Sequence, residues 1–215
     1  MLIGVDGCLG GWYAVQTERG DEITARVYPR FVDLLAGVSE DATIAVDIPI
    51  GLRSVGSRAC DMAARRALAP KRSSSVFPAP LRPMLGKGTH AEASAVRQAI
   101  EGKGMSIQSF AITKKVHEVD LALASLPERA SRVYEVHPEV SFMHMNRGIP
   151  MSFAKKKAAG RAERAELLAD TFGTAPNRLI AERERSMVGG EEERAGSEFG
   201  APPNLFPFLP SGVPA

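Results

Sequence analysis

The sequence predicts an α/β fold built on one mixed sheet: a three-stranded antiparallel meander, further strands running parallel, and a helical insertion. Three observations lead there. Residues 2–28 hold three short apolar-patterned runs separated by the turn signals Gly10-Gly11 and Gly20-Asp21. Residues 43–50 are almost wholly apolar, the mark of a strand buried on both faces beside a parallel neighbour. Between and after these runs the apolar residues recur at helical spacing, so the later strands are joined by crossovers.

The elements follow in order. Residues 2–5 form a first apolar strand closed by Asp6-Gly7, and residues 12–15 open a second. Residues 23–28 alternate apolar and polar side chains as a half-buried third strand. Phe31, Leu34, Leu35 and Val38 share one helix face after Pro29. The fourth strand, 43–50, is followed by helical patterns over 58–68, 91–101 and 112–126, with a proline- and serine-rich loop over 69–83. Residues 131–136 return to strand, and the apolar trio Val140, Phe142 and Met143 follows Pro138. A last helix is expected over 154–172, with Ser152 as its cap. Lys155, Lys156 and Lys157 would then crowd its first turn against the helix dipole, so either the helix starts later or the charges serve a purpose.

Residues 1–180 are read as one domain carrying an insertion over 52–130, and residues 181–215 as an irregular tail. The tail is dense in Glu and Arg over 182–198 and in proline over 202–214, a composition poor in the apolar residues that order a chain.

Composition excludes several classes. The chain has 215 residues, 44% of them hydrophobic and 24% charged, ordinary values for a globular domain. A net charge of +2 does not by itself argue for a polyanion partner. No run reaches about 18 apolar residues, so no membrane span is expected. Residues 1–7 lack a secretory pattern, and the two cysteines, Cys8 and Cys60, form no disulfide framework. A cytoplasmic setting is expected. The four histidines show no paired ligand spacing, and no G-x-S-x-G elbow is present, which argues against a zinc hydrolase and a serine triad.

One residue stands out. Asp47 sits inside the apolar run VDIPIG, where a carboxylate is costly to bury without a partner. A crossover through the first helix sets the fourth strand beside the first, and the fifth strand extends the sheet beyond it. Asp6, Asp47 and Glu135 then gather near one end of the sheet. Like charges this close raise one another's pKa unless a cation lies between them. Mg²⁺ or Mn²⁺ suits an all-oxygen site, and two such ions roughly 4 Å apart stabilise the attacking and leaving oxygens of a phosphodiester. Each acid also has a plainer reading: Asp6 as a turn former, Asp47 as a structural residue, and Glu135 as a solvent-facing one.

The strand order is that of the ribonuclease H-like architecture. The segments GVDGCLGGW (4–12), DIPIGL (47–52), RACDMAAR (58–65), SSVFPAPLR (74–82), YEVHPEVSF (134–142) and KKKAAGRAER (155–164) resemble, in order, the DUF429 family. That family is described as predicted ribonuclease H-like nucleases, and the likeness covers roughly residues 3–172. The resemblance implies a catalytic and metal-binding set of Asp6, Asp47 and Glu135 with Mg²⁺ or Mn²⁺. It implies substrate contacts from Ser74, Ser75, Arg82, His137, Lys155 and Lys156, since hydroxyls and cations suit phosphate, and it sets Glu139 in the same cleft. Arg58, Asp61 and Arg65 share a helix face, as a salt-bridge ladder or as substrate contacts.

One departure from the family stands out. Its members close with an acidic helix bearing Asp-Asp and Leu-Asp-Ala, which by analogy supplies a last metal ligand. No Asp follows Asp170 here, so the resemblance ends in a site short of one carboxylate unless Glu182 or Glu184 replaces it.

Metal-dependent phosphodiester hydrolysis on a nucleic-acid partner is therefore the leading expectation. A nucleotide-binding module of the actin and sugar-kinase kind also opens with Gly-x-Asp-Gly, but it needs a second copy of the unit, as a homodimer could supply. A third expectation is a non-catalytic nucleic-acid-binding protein on the same fold.

Overall fold

The computed structural model describes residues 1–18, 22–173 and 176. Strands β1 (Leu2–Cys8), β2 (Gly11–Glu18), β3 (Glu22–Tyr28), β4 (Thr43–Val46) and β5 (Val133–Glu135) form one sheet in the order β3-β2-β1-β4-β5. β1, β2 and β3 run antiparallel in sequence, while β4 lies parallel to β1 and β5 parallel to β4. This is the expected mixed α/β sheet, consistent with a ribonuclease H-like architecture.

Helix α1 (Phe31–Gly37) joins β3 to β4. The segment between β4 and β5 carries α2 (Ala59–Ala67), α3 (His90–Glu101), α4 (Ile107–Ala111), α5 (Thr113–Ser125) and α6 (Pro127–Ala130). Helices α7 (Pro138–Met145) and α8 (Ala158–Phe172) follow β5.

Strand alternation sorts the side chains into two cores. On one face Ile3, Val5, Trp12, Ile44 and Val46 pack with Phe31, Leu34 and Leu35 of α1 and Val116, Val119 and Ala122 of α5. Trp12 and Phe31 meet edge to face at 5.0 Å, and both are fully buried. The Trp12 indole N–H donates to Glu118 of α5 at 2.9 Å, and the same carboxylate oxygen accepts the Phe31 backbone N–H at 2.6 Å. On the other face Val15 and Ile23 pack with Phe142 of α7, Met151, and Leu168 of α8.

The hairpin between β1 and β2 needs Gly11. Its φ is +125°, and a Cβ there would lie 2.1 Å from the Tyr28 carbonyl oxygen of β3. A side chain would therefore push the meander apart. The turn falls at Leu9–Gly10, so β1 runs past Asp6-Gly7, which the sequence reads as its end.

Other features also differ from expectation. β4 stops at Val46, and residues 47–50 continue as loop with Ile48 buried in the first core. The last helix starts at Ala158, after the three lysines, which removes their conflict with the helix dipole. Ser152 does not cap it; its backbone N–H donates to Glu163 at 2.7 Å. Helix α7, absent from the sequence reading, begins with Pro138 at its first position, where proline's missing N–H costs nothing. The expected tail, 181–215, lies outside the described residues, as do Glu182 and Glu184. No helix among the described residues is long and apolar enough to cross a membrane.

Candidate functional site

The carboxyl ends of β1 and β4 bring two aspartates together. Val5 pairs with Val46 in parallel register, and the Asp47 N–H donates to the Val5 carbonyl at 3.0 Å. Asp6, within β1, and Asp47, the first residue after β4, therefore sit one step beyond the same pair at the same height. Val5 and Val46 point into the α1/α5 core. Alternation turns Asp6 and Asp47 to the opposite face, where Tyr13, the partner of Asp6 across β2, joins the α7/α8 core. Both aspartates are half-buried, and both engage a polar or electrostatic partner.

Glu135 does not join them. Its register partner is Val46, so it shares the row of Val5 and Val46 rather than that of Asp6 and Asp47. Its carboxylate is gripped by Arg58, which precedes α2: Nη1 donates to Oε2 at 2.5 Å and Nη2 to Oε1 at 2.6 Å. Of the three expected strand acids, the fold brings Asp6 and Asp47 together, while strand alternation and a guanidinium set Glu135 apart.

Arg58 makes five hydrogen bonds, which uses every N–H a guanidinium has. Besides Glu135, it donates from Nε and Nη2 to Asp61 at 3.2 and 2.5 Å and from Nη1 to the Ile50 carbonyl at 2.9 Å. Burial works against its charge, and the hydrogen bonds it donates to Glu135 and Asp61 more than reverse this, so its pKa is raised. Cys60, Asp61 and Glu135 have ligand atoms within 4.8 Å of one another. The guanidinium bonded to both carboxylates already supplies the positive charge that a cation would bring. Arg65, expected on the same ladder, donates instead from Nε and Nη2 to the Val76 carbonyl at 3.0 and 2.9 Å and ties α2 to the serine loop.

His137 links two of the expected substrate-binding segments. Its Nε2 lies 3.2 Å from the Ser75 carbonyl, so Nε2 carries the proton, and the buried Nδ1 has no hydrogen-bond partner among the described residues. Burial pushes the imidazole below its ordinary value of 6.5. The Ser75 carbonyl and Glu139 oppose that shift, Lys155 adds to it, and Glu135 opposes it weakly. The serine turn (Ser73–Ser75) and His137 are thus joined, and the positive charge of Lys155 works against protonation of His137. Ser74 and Lys156 are exposed in the same two segments. Arg82 lies elsewhere: it makes a bidentate pair with Asp120 of α5 at 2.7 and 2.9 Å.

Glu139 is likewise committed. Arg164 of α8 donates from Nη2 to both its oxygens at 2.6 and 2.7 Å, and both side chains are buried. The Arg164 Nη1 reaches the Phe153 and Gly160 carbonyls at 3.2 and 2.7 Å, and its guanidinium lies 5.4 Å from the Phe142 ring centre. This ties α7 to α8 over the sheet. Gly160 permits the approach, since a Cβ there would fall 2.1 Å from the Ala154 carbonyl oxygen.

Sequence reasoning missed the Arg58–Glu135 and Glu139–Arg164 pairings. One available signal was that both glutamates stand among apolar neighbours, Val136 beside Glu135 and Pro138 and Val140 beside Glu139, where a buried acid needs a partner.

Two hard carboxylate oxygens on neighbouring strands, with half-exposure to solvent, fit a divalent cation that keeps several waters. Mg²⁺ is commonly held by only one or two protein carboxylates.

Comparison with known families gives one match: the family described as "Protein of unknown function (DUF429)" over residues 4–198. The match passes Phe172, so the stretch to residue 198 falls within the family's span, although the motifs alone end the likeness near residue 172. No curated protein matches the chain, and no solved structure does.

Proposed function

The chain belongs to the DUF429 family, and from that premise we propose that it is a metal-dependent phosphodiesterase of the ribonuclease H-like kind acting on nucleic acid. The observation that carries the reading is the in-register placement of Asp6 and Asp47 at the carboxyl ends of β1 and β4. Ligand sites of α/β sheets lie at such strand ends.

In this reading Asp6 and Asp47 hold Mg²⁺ or Mn²⁺. A divalent cation held by these two carboxylates would supply a water of lowered pKa and charge to offset that of the phosphate. The protein's residues do the rest. The parallel pairing of Val5 with Val46 and the Asp47 N–H bond to the Val5 carbonyl set the backbone positions of the two aspartates. Lys155 and Lys156 supply positive charge, and Ser74 and Ser75 offer hydroxyls from the 3-10 turn. Charge-assisted contacts of this kind are the strong ones for phosphate. The His137 Nε2–H braces that turn through the Ser75 carbonyl, at 3.2 Å.

Calorimetric titration of Mn²⁺ into the protein and into Asp47→Asn tests the reading, followed by a panel of DNA and RNA substrates with Asp6→Asn as the control. Binding that Asp47→Asn loses, with Mn²⁺-dependent cleavage at least about 100-fold weaker in Asp6→Asn, is expected; oxyanion and metal groups carry effects of that size. Cleavage that persists in Asp6→Asn would exclude this site.

A second reading has one observation in its favour. With Glu135 held by Arg58, two strand acids remain rather than three. A protein that binds nucleic acid with a steep salt dependence and no turnover would fit that reduced set.

A further inference from the structure

Building on the metal reading above, we infer that Arg58 and Glu135 are positioning residues for Asp47. The Asp47 segment leaves the sheet at once, since β4 ends at Val46. Nothing in a loop fixes a carboxylate unless the loop is held at both ends. Here the near end is held by the Asp47 N–H bond to the Val5 carbonyl at 3.0 Å. The far end is held at Ile50, three residues on. Its N–H donates to Glu135 Oε2 at 2.8 Å, and its carbonyl accepts from Arg58 Nη1 at 2.9 Å.

Both polar backbone groups of Ile50 are thus taken by one ion pair. The pair is itself rigid. Arg58 has all of its donors occupied and is 6% exposed, and Asp61, 7% exposed, fixes the guanidinium plane from α2. Between the two anchors Ile48 is buried in the first core and Pro49 has a fixed φ. The segment has little freedom left. Glu135 serves the acidic site through the backbone and not as a ligand.

This arrangement makes a prediction of sign. If Glu135 were a metal ligand held back by Arg58, loosening Arg58 would release a third carboxylate and tighten metal binding. If Arg58 and Glu135 position Asp47, loosening either weakens it. Partners that orient metal ligands commonly change affinity by about 10–100-fold.

The test is a calorimetric Mn²⁺ titration of wild type, Asp47→Asn, Glu135→Gln and Arg58→Lys, each below its own melting transition. Water-proton relaxation counts the waters left on bound Mn²⁺. Arg97→Lys serves as a stability control, because Arg97 makes a buried pair with Glu101 at 3.0 Å within the insertion. Mn²⁺ binding about 10–100-fold weaker in both Glu135→Gln and Arg58→Lys is expected, with the water count unchanged and Arg97→Lys binding as wild type does. Unchanged binding in Glu135→Gln, or tighter binding in Arg58→Lys, overturns the inference. Should Arg58→Lys not fold, Glu135→Gln decides alone: a gain of one water on bound Mn²⁺ makes Glu135 a ligand and overturns it. Absence of Mn²⁺ binding in wild type removes the metal reading itself, a result distinct from the others.

Discussion

Two buried arginines hold this molecule together in different ways. Arg164 joins helix to helix: it spans Glu139 on α7 and the Phe153 carbonyl ahead of α8. Arg58 joins a helix to the end of a strand and to the loop after Asp47. Both guanidiniums meet a glutamate from the same short segment, Glu135 or Glu139. The first clamp sets how α7 and α8 cover one face of the sheet. The second reaches the backbone beside a candidate metal ligand. A buried ion pair is poor evidence for net stability, because desolvation consumes much of its attraction. What separates the two clamps is therefore what each one fixes in place.

The largest expected effect comes from breaking the helix clamp. Glu139→Gln leaves the Arg164 charge buried, which costs about 3–5 kcal/mol. Melting should fall by roughly 10 °C for a domain of this size, with Mn²⁺ affinity unchanged in the folded protein. The double variant Glu139→Leu with Arg164→Met removes both charges, and most of the loss should return. Recovery stops short of wild type because the Phe153 and Gly160 carbonyls lose their Arg164 donor, a net loss of about 0.5–1.5 kcal/mol. A melting curve for Glu139→Gln that matches wild type would mean the pair carries no structural weight.

The close approach beneath that clamp gives the next effect. Gly160→Ala sets a Cβ 2.1 Å from the Ala154 carbonyl oxygen, a backbone atom that cannot swing aside. The loop ahead of α8 must shift, at about 1–3 kcal/mol. Because Lys155 and Lys156 lie in that loop, weaker nucleic-acid binding should accompany the lower melting temperature. Urea unfolding and a binding isotherm check the two together.

How far the sequence reaches is plain from these elements. The sheet was legible because strand periodicity is short and local, and the adjacency of Asp6 and Asp47 follows from strand order alone. The late start of α8 was foreshadowed by three lysines that a helix N-terminus disfavours. The two clamps were not legible. Glu135 and Arg58 are 77 residues apart, and Glu139 and Arg164 are 25 apart. Pairing across such distances is decided by packing, which no local pattern encodes. Strand parity was the missed signal for Glu135. Counting from the in-register valines sets it on the other face from Asp6 before any side chain is seen.

His137 offers a pH test between the two regions, since it feels both Glu135 and Glu139. Burial, more than the neighbouring charges, holds its imidazole below the ordinary value of 6.5. The folded protein thus binds this proton less readily than the unfolded chain does. The stabilisation is complete above the unfolded value and is lost as the pH falls from 6.5 through the lower folded value. His137→Gln keeps a donor for the Ser75 carbonyl and does not titrate. Its melting temperature should fall less than wild type's between about pH 7 and pH 5. Parallel curves for the two proteins would show that His137 keeps its ordinary pKa.

Arg82 gives the smallest effect and the sharpest check on the site's outline. Its pair with Asp120 is bidentate, but Arg82 is exposed, with 47% of its side chain accessible. Solvent screening limits such a pair to about 0–1 kcal/mol. Arg82→Ala should therefore melt within a few degrees of wild type. The functional outcome divides two outlines of the site. If the phosphate groove is confined to the serine turn, His137 and the lysines, cleavage changes less than about twofold, below the roughly tenfold that 1.4 kcal/mol represents. If the groove wraps round to α5, Arg82 must leave Asp120 to meet the substrate. In that case Asp120→Asn, which frees the guanidinium, tightens nucleic-acid binding while Arg82→Ala weakens it, and the outline drawn from His137 and Ser75 is too small.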